Sequence, residues 1–499
     1  MINLNIKEAY DRVKKGCDLD TPEERDGFID RFFETVETKE GVIYRAKYTG
    51  FADFIWSRLR PVLFNNTLYV YADGLYREDK GDVRGLAMEM LRLFAGASLA
   101  PEWAVVLPET TKLSSAADEI YKQAAAMEVI GGDESPFDRH PGIPFANGVL
   151  HRNADGVWQL EKYSPEMRFT RRFAVGWNPD ADTGPVRALF AAWAGEKNVD
   201  YLIQLFAQVM IQALPDMQPC KKAYMLNGER NSGKTTFLKL AEAFFGEGNV
   251  SHLELQILDE RFNTAALVGK FMNTGDDLQS IKLKDCGVFK SLTGSKSHTV
   301  EPKGKPRFNA RITACFVFTC NRPPALSKSV SIDDAFWDRW IYLVFGNSFA
   351  KQAGWFQKTV TPEFLEGLGV LAVEFAGKIL DRGGELLFTQ DLDETRCLWE
   401  NEASPELEFL AQFTQGDAKG FIAKDELFEA LHAHYKDDAD ALARIPASKM
   451  ALSQAMTRAG YSVGETGSGK NRVMCYRGLS WKPDTPWAKK ETVNGSLVV

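Results

Sequence analysis

The chain has no apolar run long enough to cross a bilayer, no C-x-x-C pair and no cluster of histidines. Each absence removes a class of protein. Without about 20 consecutive apolar residues there is no membrane-spanning helix. The first residues, Met1-Ile2-Asn3-Leu4-Asn5-Ile6, lack the charged and apolar blocks of a secretory leader. Seven cysteines, at positions 17, 220, 286, 315, 320, 397 and 475, are odd in number and scattered. That pattern argues against a disulfide framework or a metal cage and for a reducing compartment, the cytoplasm. Of six histidines the one close pair, His432-Ala433-His434, lies in a polar helical pattern and reads as solvated surface. There are no internal repeats, coiled-coil heptads or low-complexity tracts. There is no excess of positive charge either: 60 Lys and Arg stand against 68 Asp and Glu, a net charge of −8. That balance argues against a protein coated in nucleic acid, but not against a local basic channel.

What is present is a phosphate-loop pattern. Gly228-Glu229-Arg230-Asn231-Ser232-Gly233-Lys234-Thr235 fits G-x-x-x-x-G-K-[ST]. An apolar run, Ala223-Tyr224-Met225-Leu226, enters it as a strand, and Thr236-Phe237-Leu238-Lys239-Leu240-Ala241 leaves it as a helix. Glycines let backbone N–H groups approach an anion at the helix N-terminus. Lys234 would sit on the outer phosphates, with the Thr235 hydroxyl on Mg²⁺. Asn231, Ser232, Gly233 and Thr236 complete the candidate nucleotide loop. A second fit, Gly464 to Lys470, acts as a control. Asn471 stands where the metal-binding hydroxyl belongs, and Arg472-Val473-Met474-Cys475-Tyr476-Arg477 is strand-like. It reads as a Gly-rich β-turn.

At 499 residues the chain is too long for one core and divides into several domains. Residues 1–135 read as a mixed α/β domain, with helical spacing over Ile29–Val36 and a hairpin at Thr67–Tyr71, Asp73-Gly74, Leu75-Tyr76. A Gly/Asp/Ser/Pro stretch ends it. Residues 136–215 form a second region, with a short hairpin at Phe145–Leu150 and helical pattern from Val186 to Leu214. The nucleotide core spans 216–350, a helical linker 351–404, a C-terminal unit 405–482 and a loose tail 483–499. The C-terminal unit shows helices Lys424–Tyr435 and Ser448–Ala459, with Ser448 as N-cap and Gly460 as stop, then strand–turn–strand. With Lys470, Arg472 and Arg477 on the turn, it suggests a winged helix.

Downstream residues narrow the chemistry. Leu267 to Asp277 reads as a buried strand ending in Asp276 and Asp277. One carboxylate can hold hydrated Mg²⁺ and the other orient water; a capped turn is the plainer alternative. Ile312 to Cys320 is an apolar, β-branched run suited to a central parallel strand. It ends in Asn321, where α/β sheets bind ligands; a strand-ending turn former reads the same way. Val300 to Phe308 reads as a hairpin with Lys303-Gly304-Lys305 at its tip and Arg307 beside it. Such cations suit a phosphate backbone, though a solvated turn looks alike. Arg339 precedes the apolar run Ile341–Phe345. It fits an arginine finger on a neighbour's phosphate, or a salt bridge to Asp338 or Asp334.

In this order and spacing, the set resembles superfamily-3 helicases, AAA+ motors of viruses, phages and plasmids. It is most similar to the helicase half of phage and plasmid primase–helicases and their poxvirus relatives. The residues carrying the resemblance are Gly228–Thr235, Asp276-Asp277, Lys290-Ser291-Leu292-Thr293-Gly294, Asn321-Arg322-Pro323-Pro324 and Arg339; Pro144–Leu150 resembles the start of the preceding conserved domain. The resemblance implies a multidomain α/β protein: an N-terminal α/β region, an AAA+ P-loop core on a parallel sheet, and a C-terminal winged helix. It implies MgATP held by the loop, Thr235 and Asp276 at the metal, Asp276 and Asp277 in catalysis, Asn321 sensing the γ-phosphate and Arg339 acting across a hexameric ring. Lys303, Lys305, Arg307, Lys470 and Arg472 would contact DNA, single-stranded or forked. A primase or polymerase would be a partner, and the cell a bacterial host of a phage or mobile element. The competing expectation is a non-helicase ATPase, an origin-binding or protein-remodelling switch. Relatives often carry an N-terminal primase with paired aspartates; here Asp180-Ala181-Asp182 lies in a Pro/Gly loop and reads as a turn.

Overall fold

The computed structural model describes residues 31–39, 41–96, 105–106, 113–132, 134–278, 282–295, 297–304, 307–403, 405–438, 441–442, 445–466, 472–487, 492–493 and 496–497. At its centre lies a five-stranded sheet built from β1 (Ala223–Asn227), β2 (Val250–Ser251), β3 (Met272–Gly275), β4 (Cys315–Cys320) and β5 (Trp340–Val344). The order is β2-β3-β4-β1-β5, and every pairing is parallel. Parallel sheets are covered on both faces, so their strands read as unbroken apolar runs. The pleat divides those runs cleanly. Tyr224, Leu226, Val317, Ile341 and Leu343 enter one core, while Ala223, Met225, Phe316, Phe318, Trp340 and Tyr342 enter the other.

The first face is covered by α1 (Gly184–Ala194), α2 (Val199–Gln212), α3 (Lys234–Phe245) and, later in the chain, α5 (Pro362–Asp381). The second face meets α4 (Gly287–Gly294) and α6 (Leu392–Ala403), with Phe289, Trp337, Trp340 and Trp399 stacked between. Four of these six helices, α1, α2, α5 and α6, lie outside residues 216–350.

The apolar pattern from Val186 to Leu214 is two helices. Gly195, at φ +79, turns the chain between α1 and α2. The acid-bearing strand is shorter than its apolar run suggests. Asn263–Leu267 forms a 3-10 turn and Gly269, at φ +71, redirects the chain before β3 begins at Met272.

Before the core, helices Tyr48–Leu59, Asp82–Gly96 and Leu113–Ala126 share a core with Phe32 and Phe33. Among the described residues of segment 29–36 only Arg31 and Phe32 are helical; Phe33–Thr38 pairs antiparallel with Gly41–Ala46. Its β-branched Thr35, Val36 and Thr38 favour the pleated form. The hairpin at Asp73-Gly74 has both turn residues at left-handed φ, +52 and +87, which glycine and aspartate tolerate best. A three-stranded sheet, Ile143–Phe145, Gly148–Arg152 and Trp158–Glu161, leads into α1.

The C-terminal unit packs helices Pro405–Phe413, Lys424–His434 and Lys449–Arg458 against an antiparallel sheet of Thr414–Ala423, Val473–Trp481 and Ser462–Thr466. Ser448 caps its helix by accepting from the Ala451 N–H, and Gly460 follows at φ +89. At the start of the segment read as a loose tail, Trp487 packs on Phe409 and Phe413, with ring centroids 5.1 and 4.8 Å apart. The observed architecture is multidomain α/β around a parallel five-stranded sheet. No helix of the described residues is long and apolar enough to cross a membrane.

Candidate functional site

The chain leaves β1 at Asn227 and enters the loop that precedes α3. The loop is shaped by close approach. A Cβ on Gly228 would stand 2.5 Å from the Phe345 carbonyl oxygen, and one on Gly233 would stand 2.5 Å from the Trp193 ring. Gly233 also sits at φ +101, and Asn231 at φ +66. Trp193, from α1, therefore forms the floor under the loop. Ser232 is buried, and its hydroxyl lies 3.3 Å from Lys234 Nζ.

Lys234 is 7% exposed. Its ammonium donates to the carbonyls of Gly228 and Glu229, at 2.5 and 3.0 Å, and to Asn321 Oδ1 at 3.0 Å. Burial pushes its pKa below the usual lysine value, while Asp277 and Asp276 pull it back up.

The strand order brings the acids to this lysine. β4 lies between β1 and β3, so Asn321, following β4, stands between the loop and the acids. Asn321 Nδ2 donates to Asp277 Oδ1 at 3.1 Å while its Oδ1 accepts from Lys234. Thr235 Oγ1 donates to Asp276 Oδ1 at 3.2 Å. Thr319, fully buried near the end of β4, completes the link. Its hydroxyl donates to Asp276 Oδ1 at 2.7 Å and accepts from the Asp277 N–H at 2.8 Å. One connected network thus joins Thr235, Asp276, Thr319, Asp277, Asn321 and Lys234. The solvent-facing members are Thr235, Asp276, Asp277 and Asn321. Sequence reasoning missed Thr319 and Trp193. A hydroxyl in an otherwise apolar strand, two residues before Asn321, was the available sign of the first.

Other expected residues lie elsewhere. Thr236 is half-buried in the first turn of α3. Arg339 precedes β5, at the opposite end of the sheet from the loop, and its carbonyl accepts from the Ala223 N–H at the start of β1. Five residues of strand place it roughly 16 Å from the loop, so it does not join this chain's own network. Its salt bridges are not those expected: Lys222 lies 3.4 Å from the Asp338 carboxylate, and Arg396 lies 3.0 Å from Asp334. Arg339 Nε instead donates to Thr293 Oγ1 at 2.9 Å, and its other nitrogens donate to the Lys290 and Ala335 carbonyls.

The hairpin forms from His298–Val300 and Phe308–Ala310, with Lys303 exposed at its tip. Lys305 lies outside the described residues. Arg307 and Arg261 both pair with Glu301, at 2.8 and 2.6 Å. Gly464 pairs with Cys475 inside an antiparallel ladder, so the second loop-like sequence begins inside one strand, Ser462–Thr466, and is followed by another, Val473–Trp481. Lys470 lies outside the described residues, and Arg472 stands 3.5 Å from Glu465. Asp182 accepts from the Gly184 N–H at 2.9 Å, a turn as expected. Among the described residues no group of three His, Cys, Asp or Glu could hold a metal, and Cys220, Cys286, Cys315 and Cys475 are free thiols.

Chemically, the loop offers a buried ammonium, helix N-terminal N–H groups and a hydroxyl beside paired carboxylates. That set suits a polyphosphate anion with a hard divalent cation. Residues 52–198 match the family described as "D5 N terminal like". Residues 226–339 match one described as a family of unknown function, DUF5906. The second match runs from inside β1 to Arg339 and so encloses the whole network. No curated protein matches the chain. Among solved structures, an A-form apo structure of the NrS-1 C terminal region is similar at TM-score 0.44 and 11% identity, covering 86% of this chain and 98% of that one. A second apo structure of that region is similar at TM-score 0.43 and 10% identity, with the same coverage.

Proposed function

We propose that this chain is an ATP-driven DNA helicase of the superfamily-3, AAA+ type, acting as a hexameric ring in the replication of a phage, plasmid or other mobile element. The observation that carries the reading is the single network from Thr235 through Asp276, Thr319, Asp277 and Asn321 to Lys234. The "D5 N terminal like" match ahead of the loop supports it. The three helices and antiparallel sheet of residues 405–482 support a winged helix.

The residues fit MgATP. Gly228 and Gly233 let the loop backbone pass close to Phe345 and Trp193, where a Cβ would collide. Lys234 and the N–H groups opening α3 would hold the outer phosphates, with Thr235 and Asp276 at Mg²⁺. When bound, the ion supplies charge neutralisation on the phosphoryl group. Asp277 would orient the attacking water, and Asn321, touching both Asp277 and Lys234, would register the terminal phosphate. Arg339 would serve the site of the neighbouring subunit. Lys303 and Lys305 on the hairpin would carry single-stranded DNA through the ring, with Arg307, Lys470 and Arg472 adding backbone contacts.

The competing reading is an ATPase switch acting at an origin or on a protein partner. The pairing of Arg307 with Glu301 and of Arg472 with Glu465 favours it, because those carboxylates occupy two of the proposed DNA contacts. A fork-unwinding assay with 3′- and 5′-tailed substrates separates the two. Unwinding that is lost in Lys303→Ala with Lys305→Ala, with basal ATP hydrolysis retained, is the expected outcome. ATP hydrolysis and ring formation without unwinding of either substrate would refute the helicase.

A further inference from the structure

We propose that Phe349 is the platform on which the base of the bound nucleotide stacks. This rests on reading the phosphate loop as an ATP site. The loop from Gly228 to Thr236 contains no aromatic residue. Its N–H groups, hydroxyls and ammonium address phosphate, so a grip on the base must come from a flanking element.

The chain leaving β5 supplies that element. The Phe345 N–H donates to the Asn227 carbonyl at 2.7 Å, and the Phe349 N–H donates to the Asn231 carbonyl at 3.0 Å. Between them, Asn347 Nδ2 donates to the Ala192 carbonyl at 2.6 Å. Residues 345–349 are therefore pinned along the loop. They lie on the flank away from the acids, because β5 and β3 stand on opposite sides of β1. A nucleotide that lies along the loop with its terminal phosphate at Asp276, Asp277 and Asn321 would send its other end toward this flank.

The phenyl ring waits there in an unfavourable position. Phe349 is 39% exposed. Among the described residues of 216–350, the exposed large apolar side chains are Phe308, Ile332 and Phe349. Phe308 is on the hairpin and Ile332 follows a short helix; Phe349 alone belongs to a segment bonded to the loop. A base has a π-face whatever its identity, so stacking on Phe349 would give affinity with little selectivity among bases.

The full-length protein is titrated with ATP and with inorganic tripolyphosphate, each with Mg²⁺, as wild type, Phe349→Ala and Phe349→Trp. Phe349→Ala is expected to weaken ATP by about 5- to 150-fold and leave tripolyphosphate unchanged. Phe349→Trp is expected to retain ATP affinity. Unchanged ATP affinity in Phe349→Ala overturns the proposal. So does an equal loss for both ligands, which would mean that Phe349 shapes the loop. If the wild type binds neither ligand, the nucleotide reading itself has failed, a result visible without any variant.

Discussion

Replacing Thr319 with valine removes one hydroxyl and almost no volume. The side chain is fully buried, so the change is confined to its two bonds, to Asp276 Oδ1 at 2.7 Å and from the Asp277 N–H at 2.8 Å. A hydrogen bond to a charged group is worth about 1.5–3 kcal/mol, and an unpaired N–H costs about 1–3 kcal/mol. The two do not add in full. They share one hydroxyl, and water reaches the exposed Asp277, so a total of about 2–3 kcal/mol is expected. The functional consequence exceeds the loss of stability. Asp276 keeps its bond to Thr235 but loses the buried donor that fixes its orientation. Outer partners of metal ligands typically matter 10- to 100-fold in metal affinity or activity. ATP hydrolysis, measured against Mg²⁺ concentration at saturating ATP, should need about 10-fold more Mg²⁺ in Thr319→Val. Thr319→Ser, which keeps the hydroxyl, should restore the wild-type curve. A lowered melting temperature with an unchanged Mg²⁺ curve would refute the argument and leave Thr319 as packing at the end of β4.

The remaining expectations concern the far end of the sheet and the hairpin. Arg339→Ala loses bonds to Thr293, Lys290 and Ala335, so modest destabilisation is expected along with loss of ATP hydrolysis. Mixing Arg339→Ala subunits with Lys234→Ala subunits should restore part of the activity, because some interfaces then pair an intact loop with an intact arginine; no restoration refutes action across subunits. Asp333 has its carboxyl held below the usual range, first by the bond from Lys290. A depressed carboxylate adds stability that is present above its unfolded pKa, about 3.9, and lost as pH falls through the lower folded value. Urea midpoints should therefore show an acid limb below about pH 4 that is weaker in Asp333→Asn, which keeps the helix cap; identical limbs refute the pairing. Lys303→Ala should lower the salt slope of single-stranded DNA binding by about one phosphate contact, seen in affinities at several salt concentrations.

The central strands were legible because sheet and loop chemistry is local. Ala223–Asn227 and Cys315–Cys320 are short apolar runs bounded by glycine or by asparagine and proline, and such runs have few other uses. The turn at Asp73-Gly74 announced itself because few residues tolerate left-handed φ twice in succession. Errors arose where a spacing fitted two periods. Segment 29–36 carries apolar residues at helical intervals, yet Phe33–Thr38 found a six-residue antiparallel partner, and that pairing outweighed the spacing. Val186 to Leu214 kept its helical period across Gly195, since a single glycine breaks a chain's direction without breaking its hydrophobic pattern.

In the site, Lys234, Asp276, Asp277 and Asn321 could be picked out one by one, but their contacts could not. The contact of Asn321 with both Lys234 and Asp277 depends on β4 lying between β1 and β3, and strand order is a property of long-range pairing. The same holds for Trp193. No local signal in Gly184–Ala194 connects it to a glycine 40 positions later, yet its ring is what forbids a Cβ at Gly233. Thr319 lies between these cases. A polar side chain in a strand buried on both faces must find a partner or cost about 1–3 kcal/mol. The residue that could supply one had to sit beside the end of β4. Because strands enter a parallel sheet in the same direction, the ends adjoining β4 carry the loop on one side and the acids on the other. The hydroxyl of Thr319 was therefore bound to meet either the phosphate loop or the metal-side carboxylates, and the register of β3 against β4, with Gly275 opposite Phe318, selects the carboxylates.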